Sequence, residues 1–508
     1  MTTFVSYNPA TGATIGTFPL TEPDEVSCAL EKARELAEAW RSVTISERCD
    51  RLRRLRDNLA SDADVLASIV STEIGKPLQE AYGADLLPTI SGLDWLGKNV
   101  PALLKPRSIP GARHSQMLPE PYGIVGVIGT WNYPLLLDIA PIAWALAAGN
   151  VVVWKPSELA MATAMTVMCH FERALLPVVC ITGDGSTGRA LCQGQGELQC
   201  DKVAFTGGVS TGRAILAELA EHGIPSVMEL SGNDAMLVCA DADVQIAARS
   251  AVWARCSNAG QSCVAPQRIY VVPEIYKEFV TACRERIEAL RPELDYGPLR
   301  TSALRARIHG LVFDAVSRGA KLVAGGSCLD DRTGFYYAPT LLADCTDAMP
   351  VVAEDFFGPV LAVCRVQNTA EALVRINADS MRLGASIWTR DVAQGKEIAA
   401  KLRVGTVAIN TETMLLAANP ALPFGGFGAS GFGKQRGATG LEEFVQWKTV
   451  SWQGMGGVRR HLFPYKAATL PILRGMIALK SARTFHAKID ALRGLTQAAK
   501  DWNSDEQS

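Results

Sequence analysis

No two cysteines in the chain stand in a Cys-x-x-Cys spacing, and the thirteen present are odd in number and irregularly placed. A disulfide framework is therefore not expected, and a reducing, cytoplasmic location is. An excess of charge of one sign is also missing. Lys and Arg (50) nearly balance Asp and Glu (52), leaving a net of -2 over 508 residues. No global field argues for nucleic acid or for an acidic partner. Repeats and low-complexity tracts are absent. The opening MTTFVSYNPATGATIGTF is polar and turn-rich, without the basic start and apolar centre of a secretory signal. Long hydrophobic runs are lacking as well. The most apolar stretch, YPLLLDIAPIAWALAAGN, is interrupted by Asp138 and two prolines. It falls short of the roughly 18–20 apolar residues of a membrane span and reads as a buried helix.

What is present is ordinary globular composition, 48% hydrophobic and 20% charged. At about 100–200 residues per domain, the length suits two or three domains. Helical and strand patterns alternate. PDEVSCALEKARELAEAWRS is an amphipathic helix, and SERCDRLRRLRDNLASDADVLASIVSTEIGKP continues as helix to Gly75 and Pro77. YGIVGVIGT and NVVVWKP are β-branched runs on either side of the apolar helix, a β-α-β unit that implies parallel neighbours. PVVCIT with GDGSTGRALC, and KVAFTGG with STGRAILAELAEHG, continue the alternation. The fold class is α/β: a doubly wound domain followed by a second α/β domain from about Asn233.

The end of the chain differs. Ile472, Met476 and Leu479 recur at helical spacing, as do Phe485, Ile489 and Leu492. Arg459, Arg460, Lys466, Arg474, Lys480, Arg483, Lys488 and Arg493 are interleaved, with Asp490 the one acid among them. Such a basic amphipathic tail either docks on protein or lies on an anionic membrane surface.

Two glycine-bearing loops follow strands and open helices. GDGSTG, with Gly183, Gly185 and Gly188, fits GxGxxG, but no acid follows at the usual distance. FTGGVSTG also leads into a helix N-terminus, where free N–H groups attract phosphate. Together they point to nucleotide binding. Cys263 lies in SNAGQSCVAP, a small and polar run that cannot bury it on an apolar helix face. A thiol needs access and a favourable field to react. Cys256 is the competing thiol. Glu229, in MELSG at the end of a strand-like run, is either a solvated strand end or a general base.

FTGGVSTG, MELSG and NAGQSC, in this order, resemble the NAD(P)-dependent aldehyde dehydrogenases. GTWNYPL, VVVWKPSE, EDFFGPV, GTVAIN and PFGGFGASG match the same family, across about residues 5–455. The resemblance implies an NAD(P)-binding domain over 1–102 and 122–232 and a catalytic domain over 233–444. Oligomerisation strands over 103–121 and 445–455 complete the pattern, and the tail 456–508 lies beyond it. It implies that Cys263 attacks the aldehyde and that Asn132 and the Cys263 N–H hold the oxyanion. A thioester forms, and Glu229 activates the water that hydrolyses it. Trp131, Lys155, Glu158, Gly207, Gly208, Gly212, Asp355 and Phe357 fall on cofactor-binding positions, and no metal is implied. Glu158 near the adenosine ribose favours NAD, with NADP also accommodated, since a 2′-phosphate meets like charge there. GDGSTG falls near the adenosine half. The partners expected are an aldehyde and further copies of the chain, as homodimer or homotetramer.

Five positions depart from the family pattern, of which Ser231 and Asn233, where ELGGK is common, are structural in kind. Asp355 replaces a glutamate and shortens the grip on the nicotinamide ribose. Gln435 replaces a second glutamate, so Glu229 needs another route for its proton. Gly428 stands where lysine is frequent. Two rival functions follow from the same fold. A coenzyme A-acylating enzyme is disfavoured by Glu229, because the thioester is hydrolysed. A non-catalytic binding protein is disfavoured by Cys263, Glu229 and Asn132 together.

Overall fold

Parallel strands need helical crossovers, and the alternating pattern builds two such sheets. This computed structural model describes residues 3–194, 196, 198–453, 462, 463 and 465–504. The first sheet runs Gly431–Phe432, Ser226–Leu230, Lys202–Gly207, Ile124–Ile128, Val151–Lys155, Val178–Cys180. All its pairs are parallel except the first. Ile124–Ile128 and Val151–Lys155 are buried throughout, as continuous apolar runs demand when helices cover both faces. Helix Leu136–Ala148 is buried along its whole length. Its one charge, Asp138, accepts from the Thr130 N–H at 2.9 Å and the Trp154 indole at 3.1 Å. That pairing explains an acid inside the most apolar stretch. Burial pushes the Asp138 carboxyl up to about 7.

The order of this sheet carries functional information. From Ile124–Ile128 the chain winds outward to Val151–Lys155 on one side and later to Lys202–Gly207 on the other. A doubly wound sheet leaves a crevice at that reversal, beyond the carboxyl ends of the two strands.

The second sheet runs Lys321–Ala324, Thr340–Ala343, Val360–Arg365, Arg268–Val271, Ala235–Val238, Gly384–Trp388, Thr406–Ile409. Only the first pair is antiparallel. It has its own core, with Leu237, Ile269, Phe279, Leu341 and Leu361 fully buried. The sequence predicts that 233–444 stays with this second layer, and the structure differs at its end. Gly431 pairs with Glu229, and Leu441, Phe444 and Val445 lie in the first core. The returning strand covers the edge of the six-stranded sheet and brings the segment after Gly431 alongside Glu229. The long helix predicted from Ser46 to Ile74 is also divided, into Ile45–Ser61 and Ala63–Ile74, with Asp62 at φ −104°, ψ 25° between them. A small third sheet runs Val445–Ser451, Ser115–Pro121, Arg107–Ser108.

The chain divides into two units, residues 1–107 with 117–448, and 108–116 with 449–508. The second unit carries a helical hairpin, Thr469–Ser481 and Phe485–Ser504. Gly475 permits the close approach, because a Cβ there meets Leu495 at 2.8 Å. Ala491, Ala498 and Trp502 face inward, whereas Leu470, Leu473, Met476, Ile477, Phe485 and Leu492 are exposed. Met476, Phe485 and Leu492 thus have the helical spacing expected of them but remain outside the hairpin core. Arg459 and Arg460 lie outside the described residues. Among the described residues, no helix is long and apolar enough to cross a membrane.

Candidate active site

Helix Val244–Cys256 ends in a turn that L-residues rarely adopt. Asn258, Ala259 and Gly260 follow one another at φ 50°, 53° and 72°. A Cβ on Gly260 meets the Gly358 carbonyl at 2.1 Å, so only glycine fits. Two successive non-glycine residues in this region store strain, and neighbouring bonds hold it in place. The Asn258 N–H donates to Glu80 at 2.7 Å, and the Arg300 N–H donates to the Gln261 side chain at 2.8 Å. The turn delivers Cys263 just before strand Arg268–Val271.

Cys263 is half-buried, and its Sγ donates to Glu229 Oε1 at 3.7 Å. Glu229 lies next to the end of strand Ser226–Leu230 and is buried, and its Oε2 has no hydrogen-bond partner among the described residues. Burial pushes the Glu229 carboxyl up, opposed by Arg436, by the Cys263 thiol and by Lys434. Burial also pushes the Cys263 thiol well up, aided by the charges of Glu229 and Asp234 and opposed by Arg436. A thiol held in its neutral form thus stands beside a carboxyl group of raised basicity, and that group, when ionised, is placed to accept the thiol proton.

Asn132 follows strand Ile124–Ile128 through Gly129, where a Cβ meets Asp138 Oδ2 at 2.0 Å. Its side-chain amide donates to the Gln261 carbonyl at 3.0 Å, with one N–H to spare, and its Oδ1 accepts from Thr130 at 3.2 Å. Its own carbonyl accepts from Lys76 Nζ at 2.7 Å and from Asn258 Nδ2 at 2.9 Å. Lys76 is fully buried, pairs with Asp85 at 2.6 Å and sits 3.9 Å from the centre of the Tyr133 ring. This cation therefore clamps the 131–133 loop to Asp85, and the Asn132 carbonyl that it shares with Asn258 joins that loop to the cysteine turn. Removing one member of a buried pair leaves the other charge uncompensated, at about 3–5 kcal/mol. Lys76→Met is expected to destabilise the fold by that amount in denaturant titration and to lower activity further by loosening Asn132. A variant with native stability contradicts the clamp.

Two cavities meet at these residues. One, about 270 Å³, is walled by Tyr133, Leu136, Leu137, Trp253, Met414 and Phe424, with Glu80 and Arg436 among the polar groups. The other, about 240 Å³, lies at the sheet's reversal point and is lined by Trp131, Asn132, Gly207, Gly208, Asp355 and Phe357. Cys263 and Glu229 line both. Burial pushes the Glu80 carboxyl up to about 7. The Trp131 and Phe357 rings meet edge-on at 5.9 Å. A Cβ on Gly208 meets nothing within 4 Å, so its backbone faces open space. This open, glycine-walled cleft beside a helix N-terminus suits a dinucleotide's phosphates.

A family model for the aldehyde dehydrogenases matches residues 1–450. The chain belongs to the aldehyde dehydrogenase family. It is 35% identical over 457 residues to 4,4'-diapolycopene aldehyde oxidase of a Methylomonas species, covering 87% of this chain and 84% of the relative. A putative NADP(+) succinate-semialdehyde dehydrogenase of Mycolicibacterium smegmatis is 32% identical, with 87% of each chain covered. The structure of an aldehyde dehydrogenase from Bacillus cereus in complex with NAD+ superposes with a TM-score of 0.85 at 30% identity, over 90% of this chain and 94% of that one. The activity is oxidation of an aldehyde with NAD or NADP. Aldehyde dehydrogenases act on small-molecule aldehydes and are generally oligomeric.

Not every residue singled out in the sequence reaches these cavities. Gly212 lies behind the cofactor-side loop, where a Cβ meets Leu230 at 2.4 Å, so it serves close packing of helix on strand. Lys155 and Glu158 pair at 3.4 Å outside both cavities, next to Gly188 of the GDGSTG loop. Cys256 lines neither cavity, and burial pushes its thiol up to about 12. Lys76, Asp85, Glu80 and Arg436 were not legible as site residues. The first two carry no local signal, because GKPLQEAYGAD also holds Gln79 and Glu80. Arg436 has no local signal.

Proposed function

We propose that this aldehyde dehydrogenase oxidises a neutral, apolar aldehyde through a thioester on Cys263, using NAD in preference to NADP. The observation that carries the reading is the meeting of an apolar cavity and a glycine-walled cleft at one thiol and one carboxylate. Glu229 takes the Cys263 proton, and the sulfur attacks the carbonyl carbon. A C–S bond forms, and the carbonyl π electrons move to oxygen. The spare Asn132 N–H and the Cys263 backbone N–H receive that oxyanion, each such donor being worth about 2.7–4 kcal/mol. The nicotinamide, when bound, supplies the hydride acceptor. Thr206, Gly207 and Gly208 receive the pyrophosphate side, and Trp131, Asp355 and Phe357 enclose the nicotinamide side. Lys155 and Glu158 take the adenosine ribose. Glu229 gives up the thiol proton to solvent through the cavities it lines, then takes a proton from water, whose oxygen attacks the thioester carbon, and Cys263 leaves as thiolate.

The aldehyde-side cavity supports the substrate class. Its wall is largely aliphatic and aromatic, and beside Glu229 its charged-type residues, Glu80 and Arg436, are of opposite sign. An anionic aldehyde of the kind named for the Mycolicibacterium relative has to carry its carboxylate past this largely apolar wall. The substrate named for the Methylomonas relative carries no such group in its name. A turnover series with NAD is expected to give kcat/KM at least ~10-fold higher for medium-chain or aromatic aldehydes than for succinic semialdehyde. The product is the free acid whether or not coenzyme A is present. A preference for the semialdehyde, or an acyl-coenzyme A product, contradicts the reading.

The strands Ser115–Pro121 and Val445–Ser451 are the elements we assign to subunit pairing, in a homodimer or homotetramer. The cysteines are free thiols, which suits a cytoplasmic setting. We assign the hairpin 469–504 to peripheral contact with an anionic membrane. It exposes six large apolar side chains near Arg474, Lys480, Arg483, Lys488 and Arg493. Truncation after Met455 is expected to spare turnover of a water-soluble aldehyde and to abolish sedimentation with phosphatidylserine vesicles. Loss of solubility or assembly instead assigns the hairpin to protein docking.

A further inference from the structure

Among the described residues, the Arg436 guanidinium has no hydrogen-bond or ion-pair partner. The residue is 3% exposed. Its Nε, Nη1 and Nη2 are all buried without a hydrogen bond. A guanidinium offers five N–H donors, and leaving them all unpaired in the interior is unfavourable. It does lie over the Phe424 ring, 5.3 Å from the ring centre. Across the same cavity wall stand Cys263 and Glu229, and Glu229 Oε2 is likewise unpartnered.

The backbone goes to some trouble to place it. Arg436 has φ 62° and is followed by Gly437 at φ 60°. The first is a conformation that a residue with a Cβ rarely adopts. Backbone bonds enforce it. Phe424 and Gln435 exchange N–H···O bonds at 2.8 and 2.7 Å, the Gly437 N–H donates to Pro420 at 2.9 Å, and the Gly440 N–H donates to Arg436 itself at 2.8 Å. The Trp144 indole donates to the Gly437 carbonyl at 3.1 Å. A strained turn pinned on several sides is what a functional side chain requires to be held in one place.

We propose that Arg436 is a positioning residue whose buried positive charge balances the single negative charge shared by Cys263 and Glu229 while a proton passes between them. The inference rests on the assignment of Cys263 as nucleophile and Glu229 as base. With a thiol and a carboxylate, the three groups sum to zero. With a thiolate and a carboxylic acid, they again sum to zero. The proton therefore moves inside a neutral cluster, and no net charge is created in the cavity wall as sulfur becomes nucleophilic. The same holds when water gives its proton to Glu229 and sulfur departs as thiolate.

The surrounding charges leave this task to Arg436. Asp234 faces Cys263 and opposes ionisation of the thiol. Lys434 faces Glu229, but its ammonium donates to the Gly425 carbonyl at 2.5 Å and lies over the Phe427 ring. Glu80 and Asp85 act on Tyr133 beyond the cysteine. Gln435, next in the chain, is neutral and donates to Thr206 at 3.0 Å. Arg436 is the cation that lowers both the Cys263 thiol and the Glu229 carboxyl, and burial in turn lowers its own.

The test is the pH profile of Cys263 alkylation by iodoacetamide in the full-length enzyme, with Cys263→Ala identifying the signal from that thiol. Arg436→Leu is expected to slow alkylation at pH 7.5 at least tenfold and to move the profile to higher pH. Arg436→Lys, which keeps the charge, is expected to restore most of the native profile. If Arg436→Leu does not fold, Arg436→Gln makes the same comparison. A native profile in the uncharged variant overturns the proposal. So does an unchanged profile accompanied by a rise in KM confined to carboxylated aldehydes, which assigns the cation to substrate. Turnover by Cys263→Ala tests the underlying nucleophile assignment separately, because it is read without any substitution at 436.

Discussion

Cys263→Ala is expected to lower aldehyde oxidation by more than about 10³-fold while leaving NAD affinity within a factor of two or so. The split follows from geometry. Cys263 sits where the two cavities touch, and the cleft that we assign to the dinucleotide is built largely from other residues. No second thiol is placed to take over. Cys256 is seven positions away in sequence but is enclosed in the second core. The other cysteines line neither cavity. Steady-state kinetics together with a fluorescence titration of NAD decide it. Residual turnover at a tenth of the native rate or more moves the nucleophile elsewhere.

Glu229→Gln is expected to divide the reaction. Gln keeps the shape of the side chain and cannot take a proton from water, so deacylation slows at least tens-fold, roughly the lower end of what a general base supplies. Acylation also slows, because the same carboxylate takes the thiol proton. A burst of NADH followed by a slow steady rate distinguishes the two if acylation remains the faster step. In the native enzyme the base must be ionised. Burial raises the Glu229 carboxyl, so turnover falls as pH drops through that raised value rather than through the ordinary carboxylate range. The acid limb is expected to vanish in Glu229→Gln. An unchanged steady-state rate, or an unchanged acid limb, removes Glu229 from the base role.

Much of this site is written in local sequence, because its residues follow strands or precede helices in short runs. MELSG places Glu229 at a strand end, and SNAGQSC places Cys263 after a helix, where small residues permit the left-handed turn at 258–260. The two glycine loops are equally local, although only Gly207 and Gly208 wall the cleft, and Gly212 turns out to be a packing glycine. What is not legible depends on contacts between distant segments. Lys76 reaches the Asn132 carbonyl 56 positions away, and the bond that ties Asn132 to Gln261 spans 129. Nothing in GKPLQEAYGAD announces a buried ion pair rather than a helix end. The return of Gly431–Phe432 to the first sheet is also hidden, since two residues make no periodic pattern. Arg436 is the extreme case. In sequence it is one basic residue in a turn, and only the fold shows that its charge is enclosed with the thiol and the carboxylate.

The tail shows the opposite limit. Its helical spacing is plain in the sequence, and both helices form. Which residues face inward is set by how two helices pack, with Gly475 against Leu495 fixing the close approach. That packing leaves Met476, Phe485 and Leu492 outward among the basic residues. Periodicity identifies an apolar face, whereas only the partner helix determines which apolar residues remain uncovered.

The most direct measurement is the location of the acyl group. Glu229→Gln, quenched in acid after brief exposure to a medium-chain aldehyde and NAD, is digested, and its peptides are weighed. The peptide carrying Cys263 is expected to gain the mass of the acyl group, in an amount equal to the NADH burst. NADH released with no such adduct, or an adduct on a different cysteine, contradicts covalent catalysis by Cys263.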